Sequence, residues 1–315
     1  MDKSVILVTG GTGLVGKALE EVVRRDKVEG DWHFVGSAAA DLTSYESSKA
    51  LFEKLKPTHV IHLAARVGGL FANMTYKVEF LRDNLSMQDN VTRLCHEYNV
   101  AKLISCLSTC IFPDKTSYPI TEEMVHNGPP HPSNEGYAYA KRLVDVMNRC
   151  YNEQHGRMFT SVVPTNIYGK YDNFNLEGGH VIPCLIHKCH LAKEAGQPFV
   201  VLGTGKPLRQ FIYSIDLAAL ILWVLTDYNS TSPIILSPGE HDEVSIGEVA
   251  RLIAAEFDYT DKLVFDTSKA DGQFKKTVSN QKLMGLHPTF KFTPLAAALK
   301  ETITWFKGNF EQTRR

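Results

Sequence analysis

Ser4-Val-Ile-Leu-Val8, then Thr9-Gly10-Gly-Thr-Gly13-Leu-Val-Gly16, then Lys17-Ala-Leu-Glu-Glu-Val-Val-Arg24 is the stretch that decides the fold. The first part is a short apolar run of strand type, and the last reads as a helix. Strand, glycine loop and helix in that order form the context in which such a loop binds a dinucleotide. Gly10 permits the tight turn. Gly13 lets a pyrophosphate approach backbone N–H groups. Gly16 lets helix pack on strand. Gly11, Thr12, Leu14 and Val15 complete the loop, and the helix N-terminus stabilises the phosphates.

The spacing is G-x-x-G-x-x-G, which resembles that of the short-chain dehydrogenase/reductase proteins. NAD-selective folds place a carboxylate roughly 20 residues beyond the glycines. Here Trp32-His-Phe-Val35 ends in Gly36-Ser-Ala-Ala-Ala40, and Asp41 comes late. A 2′-phosphate meets no acid there, so NADP(H) is the expected cofactor, although no Arg or Lys stands ready to hold that phosphate.

Strand-like runs recur at His59–Ala65, Lys102–Leu107 and Phe159–Pro164, alternating with helical stretches at Tyr45–Leu55, Tyr76–Tyr98 and Tyr137–His155. That rhythm predicts an α/β fold, a Rossmann-like doubly wound parallel sheet. Further helices are expected at Val181–Ala195, Asp216–Thr226, Ser245–Phe257 and Pro294–Phe310, with a strand at Phe199–Leu202. Residues 1–168 read as an NADP-binding domain. Residues 169–315 read as a smaller substrate-binding lobe, interleaved because the sheet needs strands from both.

At 315 residues the chain can bury one large core plus a smaller lobe. A net charge of −1 without a basic tract argues against nucleic acid or an anionic membrane as partner. No apolar run approaches a membrane span, and the first strand begins almost at once, so no signal peptide and a cytoplasmic location are expected. The sequons at Asn73, Asn90 and Asn229 should then be unused. Cys95, Cys106, Cys110, Cys150, Cys184 and Cys189 read as thiols. His180, Cys184 and His187 have helical spacing for a metal, but no fourth ligand is evident, so none is expected.

The candidate chemistry lies at Tyr137 and Lys141, one helical turn apart. An ammonium there would draw a phenol down from a pKa of about 10 towards neutrality, suiting it to exchange a proton with a carbonyl or alcohol oxygen. Ser108, at the carboxyl edge of the sheet, can add a hydrogen bond to the same oxygen. Cys110 adds a second acid–base group.

Larger blocks carry a closer resemblance. Leu107-Ser-Thr-Cys-Ile-Phe-Pro113, Tyr118-Pro-Ile, Asn127-Gly-Pro-Pro-His131, Tyr137-Ala-Tyr-Ala-Lys141, Pro164-Thr-Asn-Ile-Tyr-Gly169, Asp172-Asn-Phe-Asn175 and Gly179-His-Val-Ile-Pro183 are similar to the GDP-L-fucose synthase family, in its animal form. The likeness runs from Ser4 to the C-terminal helix. It implies NADPH-dependent epimerisation of GDP-4-keto-6-deoxy-D-mannose at C3 and C5, then reduction at C4. It assigns Cys110 as base and His180 as acid, with Ser108 and Tyr137 on the C4 oxygen and Lys141 on the nicotinamide ribose. It puts Pro164, Thr165, Asn166, Ile167 and His180 by the cofactor, and Asp41-Leu42 by the adenine. It puts Lys188, Leu202, Arg209 and Asp271 on the GDP-sugar. Leu202 departs from the tryptophan usual before Gly-Thr-Gly, removing a flat face and an N–H. The resemblance also implies a homodimer built on the helices Tyr76–Tyr98 and Tyr137–His155.

Two rivals are distinguishable. A 4,6-dehydratase or 4-epimerase on this fold differs after the serine: dehydratases carry an Asp/Glu pair where this chain has Thr109-Cys110. A non-catalytic NADP sensor typically loses the tyrosine or lysine, and both are present.

Overall fold

The computed structural model describes residues 4–269, 271 and 274–315, with the side chains of Leu70 and Phe71 also outside the description. Its strands are β1 (Val5–Thr9), β2 (Asp31–Val35), β3 (His59–His62), β4 (Lys102–Cys106), β5 (Phe159–Pro164), β6 (Asn166–Tyr168), β7 (Phe199–Leu202), β8 (Leu208–Arg209), β9 (Phe211–Tyr213), β10 (Ile234–Leu236), β11 (Val244–Ser245) and β12 (Leu263–Asp266). Its helices are α1 (Leu14–Arg25), α2 (Tyr45–Leu55), α3 (Leu70–Thr75), α4 (Lys77–Glu97), α5 (Glu135–His155), α6 (Val181–Glu194), α7 (Ser214–Thr226), α8 (Ile246–Glu256), α9 (Gln281–Leu286) and α10 (Leu295–Gly308).

Six strands form one parallel sheet in the order β10-β5-β4-β3-β1-β2. Both faces are covered, so adjacent residues of one strand are buried in opposite layers. Ile6, Val8, Ile61 and Ile104 face α1 and α7 residues such as Leu19 and Leu220. Leu7, Val60, Leu103 and Phe159 face α2 and α4 residues such as Phe52 and Leu94. A third core, including Phe199, Val249, Ile253, Leu299 and Phe306, fills the C-terminal part.

The chain leaves β1 for β2 on one side, then returns to β3 on the other. Ligands bind outside the carboxyl ends of strands at such a reversal. The loops after β1 and β3 touch there: a Cβ on Gly10, which has φ +70°, would stand 2.7 Å from the Ala64 nitrogen. Gly16 packs on the loop rather than on the strand expected above, since its Cβ would lie 2.5 Å from the Gly10 carbonyl oxygen.

The second layer changes character near this edge. Thr9, His62, Ser105 and Ser161 lie side by side on four neighbouring strands. His62 Nδ1 pairs with Thr9 Oγ1 at 2.6 Å, and α5 sends Asn148 to Ser161 Oγ at 3.0 Å. The apolar core thus becomes polar within two residues of the sheet edge.

Most helices extend slightly differently from expectation. The glycine-loop helix starts three residues earlier, at Leu14, and α5 starts at Glu135, placing Tyr137 in its first turn. The strands β10 and β12 and the short pairs β6–β9 and β8–β11 were not legible in the sequence. Their runs are two to four residues long and become strands only through their partners.

Candidate active site

A cleft of about 930 Å³ opens at the reversal. Gly10, Thr12, Gly13, Leu14, Val15 and Gly16 line one end, and Ser108, Cys110, Tyr137, Lys141, Pro164, Thr165, Asn166, Ile167 and His180 line the rest. Gly11 is the exception in the loop. It is buried beneath it, its N–H donating to Val35 at 2.8 Å and its Cα against Phe34.

The phosphate-binding character of the loop follows from α1. Gly13 caps that helix with no side-chain acceptor, leaving the first-turn N–H groups for an anion. Gly36, Ser37, Asp41 and Leu42 line the far end. The Asp41 carboxylate is already engaged by the Thr43 N–H at 2.9 Å and hydroxyl at 2.7 Å. A 2′-phosphate therefore meets a small, uncharged corner at Gly36–Ser37. The residues present fit an NADP-type dinucleotide.

The reacting end is built where β4 stops. Ser108 caps a short 3-10 turn over Thr109–Ile111 and accepts the Cys110 N–H at 3.4 Å, fixing hydroxyl and thiol side by side. Lys141, buried on α5, donates to the Cys106 carbonyl at 2.8 Å, and its Nζ lies 6.0 Å from the Tyr137 ring centre. Phe80 packs edge-on against that ring at 6.3 Å.

The electrostatics correct the sequence reading. Burial pushes the Tyr137 phenol well above its usual range, reinforced by the nearby Cys110 and Cys106 thiols. Desolvation thus favours the neutral phenol. Burial lowers Lys141 for the same reason. Burial also raises Cys110, opposed first by Lys276, then by the Ser108 hydroxyl and Lys141. His180 keeps a solvent-facing edge in the cleft, yet the protein around it lowers its imidazole pKa. Burial thus favours the neutral thiol and the neutral imidazole.

Four predicted substrate contacts do not line this cleft. Lys188, half-buried on α6, lies near enough to Cys184 to lower its thiol against the burial that raises it. Leu202 is 55% exposed on β7. Arg209 donates to the Leu208 carbonyl at 2.7 Å, and Asp271 holds Thr204 through its N–H at 2.8 Å and hydroxyl at 2.6 Å. In the segment Asp271–Lys275, Gly272 and Gln273 lie outside the described residues. Arg209 does reach the site indirectly, because its charge opposes that of Lys276, which in turn acts on Cys110.

Lys276 escaped the sequence reading because Lys275-Lys276 looks like solvated surface; only the fold buries the second lysine beside a thiol. Asp172, Asn134 and Arg314 also line the cleft without having been singled out. The motif Asp172-Asn-Phe-Asn175 was the available signal for the first of these. Two of the side chains with metal-like spacing have backbone partners: Cys184 donates to the Asn175 carbonyl at 3.2 Å, and His187 Nδ1 pairs with the Phe174 carbonyl at 2.8 Å. All six cysteines are free.

Residues 6–237 match the model of the NAD dependent epimerase/dehydratase family. The chain is 61% identical over 314 residues to the GDP-L-fucose synthase of Dictyostelium discoideum, covering 99% of this chain and 98% of that protein. It is 54% identical over 318 residues to the probable GDP-L-fucose synthase of Drosophila melanogaster, covering 98% and 99%. In structure it is similar to a GDP-L-fucose synthetase from Naegleria fowleri bound to NADP, with a TM-score of 0.96 at 54% identity, covering 100% of this chain and 98% of that one. With its glycine loop, its Tyr–Lys pair and its cysteine in one cleft, the chain belongs to the NAD dependent epimerase/dehydratase family and, within it, to the GDP-L-fucose synthases.

Proposed function

We propose that this chain converts GDP-4-keto-6-deoxy-D-mannose to GDP-L-fucose, inverting C3 and C5 and then reducing C4. The supporting observation is that Cys110 and His180 share one cleft with Ser108, Tyr137 and Lys141. Reduction alone needs only the last three. A thiol and an imidazole beside them suit proton exchange at carbons made acidic by the neighbouring ketone.

Ser108 and Tyr137 hold the C4 oxygen. As Cys110 removes a proton from C3 or C5, charge accumulates on that oxygen, and these two hydroxyls stabilise the enolate. His180 returns a proton from the opposite face, which inverts the carbon. Abstraction needs the Cys110 thiolate and donation needs the His180 imidazolium, a pair that a proton moved from thiol to imidazole would supply, and Lys276 and Lys141 favour the thiolate. Gly10, Thr12–Gly16, Lys141 and Pro164–Ile167 would hold NADPH, which would supply the hydride. Tyr137 then gives its proton to the C4 oxygen, a role suited to a phenol kept neutral by burial. Arg209 and Lys276 form the cationic side towards which a diphosphate would be drawn. Lys188, Leu202 and Asp271 would complete the nucleotide end.

We further infer a homodimer in the cytosol. Val78 on α4, 62% exposed, and Tyr139 and Leu143 on α5 leave apolar surface on the paired long helices. Free thiols suit a reducing compartment, and among the described residues no helix is long and apolar enough to cross a membrane.

The test is NADPH oxidation with GDP-4-keto-6-deoxy-D-mannose. Turnover by the wild type and a loss of about 10³-fold in Tyr137→Phe are expected. Unchanged turnover by the phenylalanine variant would sink this reading.

A further inference from the structure

The corner for the adenosine ribose lies where β2 ends. In folds of this kind an acid there receives the ribose 2′-hydroxyl, or an arginine nearby receives a 2′-phosphate. Here β2 stops at Val35 and Gly36 follows. Gly36–Ala39 is a turn in which the Ala39 N–H donates to the Gly36 carbonyl at 3.0 Å. Ser37 and Ala38, in the middle of that turn, are exposed. Their N–H groups donate to no protein acceptor among the described residues. Thr12, also exposed, closes the corner from the glycine loop. A Cβ on Gly36 would stand 2.6 Å from the Thr12 hydroxyl oxygen, so any side chain at position 36 would push that hydroxyl away.

No free charge stands at this corner. The Asp41 carboxylate accepts the Thr43 hydroxyl and N–H, which hold it below the usual carboxylate range with no cation contributing. Three Lys or Arg side chains line the cleft among the described residues, and each has a partner elsewhere. Arg66 Nη1 pairs with Asp83 at 2.6 Å, Lys141 donates to the Cys106 carbonyl at 2.8 Å, and Arg314 donates to the Tyr171 carbonyl at 2.6 Å. What the corner offers is neutral: two hydroxyls and the N–H groups of a turn. Successive turn N–H groups form a concavity that takes an anion. A hydroxyl both donates and accepts, so it serves a phosphate and a ribose hydroxyl alike.

We propose that this chain holds the 2′-phosphate of NADPH with neutral donors alone, the Thr12 and Ser37 hydroxyls and the N–H groups of the Gly36–Ala39 turn, and so takes NADH as a second reductant of nearly equal affinity. A charged clamp would separate the two dinucleotides about 10²-fold, whereas neutral hydrogen bonds separate them about tenfold or less. Hydride to C4 and the Tyr137 proton to its oxygen balance the reduction whichever dinucleotide is oxidised. The proposal rests on the dinucleotide-binding reading of the cleft and deepens it.

The experiment titrates the whole protein, without sugar, with NADPH and with NADH, following the fluorescence of the bound reduced nicotinamide at low and at high salt. Dissociation constants within about tenfold of each other are expected, in a ratio that salt leaves nearly unchanged, because no fixed cation is there to be screened. Thr12→Val removes one hydroxyl at constant shape and should weaken NADPH about fivefold. Ala38→Arg supplies the missing clamp and should raise the preference for NADPH to about 10²-fold. Arg66→Gln should leave the ratio where it was. A wild-type preference of about 10²-fold or more, a ratio that falls with salt or in Arg66→Gln, or NADPH affinity untouched by Thr12→Val would overturn the proposal, as would an unchanged ratio in Ala38→Arg. Failure to bind either dinucleotide would overturn it together with the cofactor reading. Even-handed binding without turnover of the GDP-keto sugar would uphold it and sink only the reaction proposed above.

Discussion

The two walls of the cleft are built by different means. One wall is the rim of the sheet: the turns after β1, β3 and β4 begin where ladder hydrogen bonds end. The other is the loop Asp172–His180, held by its own side chains. Asn173 Oδ1 accepts the Asn175 N–H at 3.1 Å, and Asn175 Oδ1 accepts those of Glu177 and Gly178 at 3.0 and 2.7 Å. Ser108, proposed to hold the C4 oxygen, stands just beyond β4, and Tyr137, proposed to share that task, stands in the first turn of α5. His180, the proposed acid, sits at the end of the loop. A sheet edge gives positional accuracy, whereas a side-chain-capped loop allows adjustment between steps.

Three substitutions can break or sharpen that contrast. The largest effect is expected from Cys110→Ser, because a hydroxyl is a far weaker acid than a thiol. Substrate C–H exchange in D₂O should fall about 10³-fold, while a ketone already inverted at both carbons is still reduced. Exchange at the wild-type rate would remove the sheet wall from proton abstraction.

Gly16→Ala tests the rigidity of that wall. The new methyl would stand 2.5 Å from the Gly10 oxygen, so the glycine loop must shift. The KM for NADPH should rise about tenfold, with a stability loss of about 1–3 kcal/mol. A loop as adjustable as Asp172–His180 would absorb the methyl, and cofactor titration would register no change.

The smallest effect is a pH slope from the polar layer below. Burial, helped by Lys141, lowers His62 to about 3 from an ordinary 6.5. Above pH 6.5 the imidazole is neutral in both folded and unfolded chains. Below it, the unfolded chain takes up a proton that the native state refuses, so stability falls as pH drops from about 6.5 towards 3. The slope approaches about 1.4 kcal/mol per pH unit within that window, and His62→Gln should flatten it in denaturant titrations. An unchanged slope would mean that this layer is hydrated rather than closed.

Legibility followed the distance over which each feature is encoded. The bounds of α2 were readable to the residue because its pattern is periodic and Ser44 caps it. The strand β10 was not, since Ile234-Ile-Leu236 is three residues between prolines and pairs with a strand about seventy positions earlier. In the site, Ser108, Cys110, Tyr137, Lys141 and His180 were legible through spacing and resemblance, and the structure brings them to one cleft. Their protonation was misread, because a spacing of four residues reveals a neighbouring charge but not the burial that outweighs it.

By itself, then, the sequence determined the strand–loop–helix start and the parallel rhythm, written in residues close to one another, and it offered the candidate reacting set through short motifs. Tertiary structure alone decided that Lys276 stands by Cys110, that Asp172 and Arg314 join the cleft wall, and that burial favours the neutral phenol, thiol and imidazole. Desolvation and long-range charge depend on which distant segments exclude water from a group, and no local pattern carries that information.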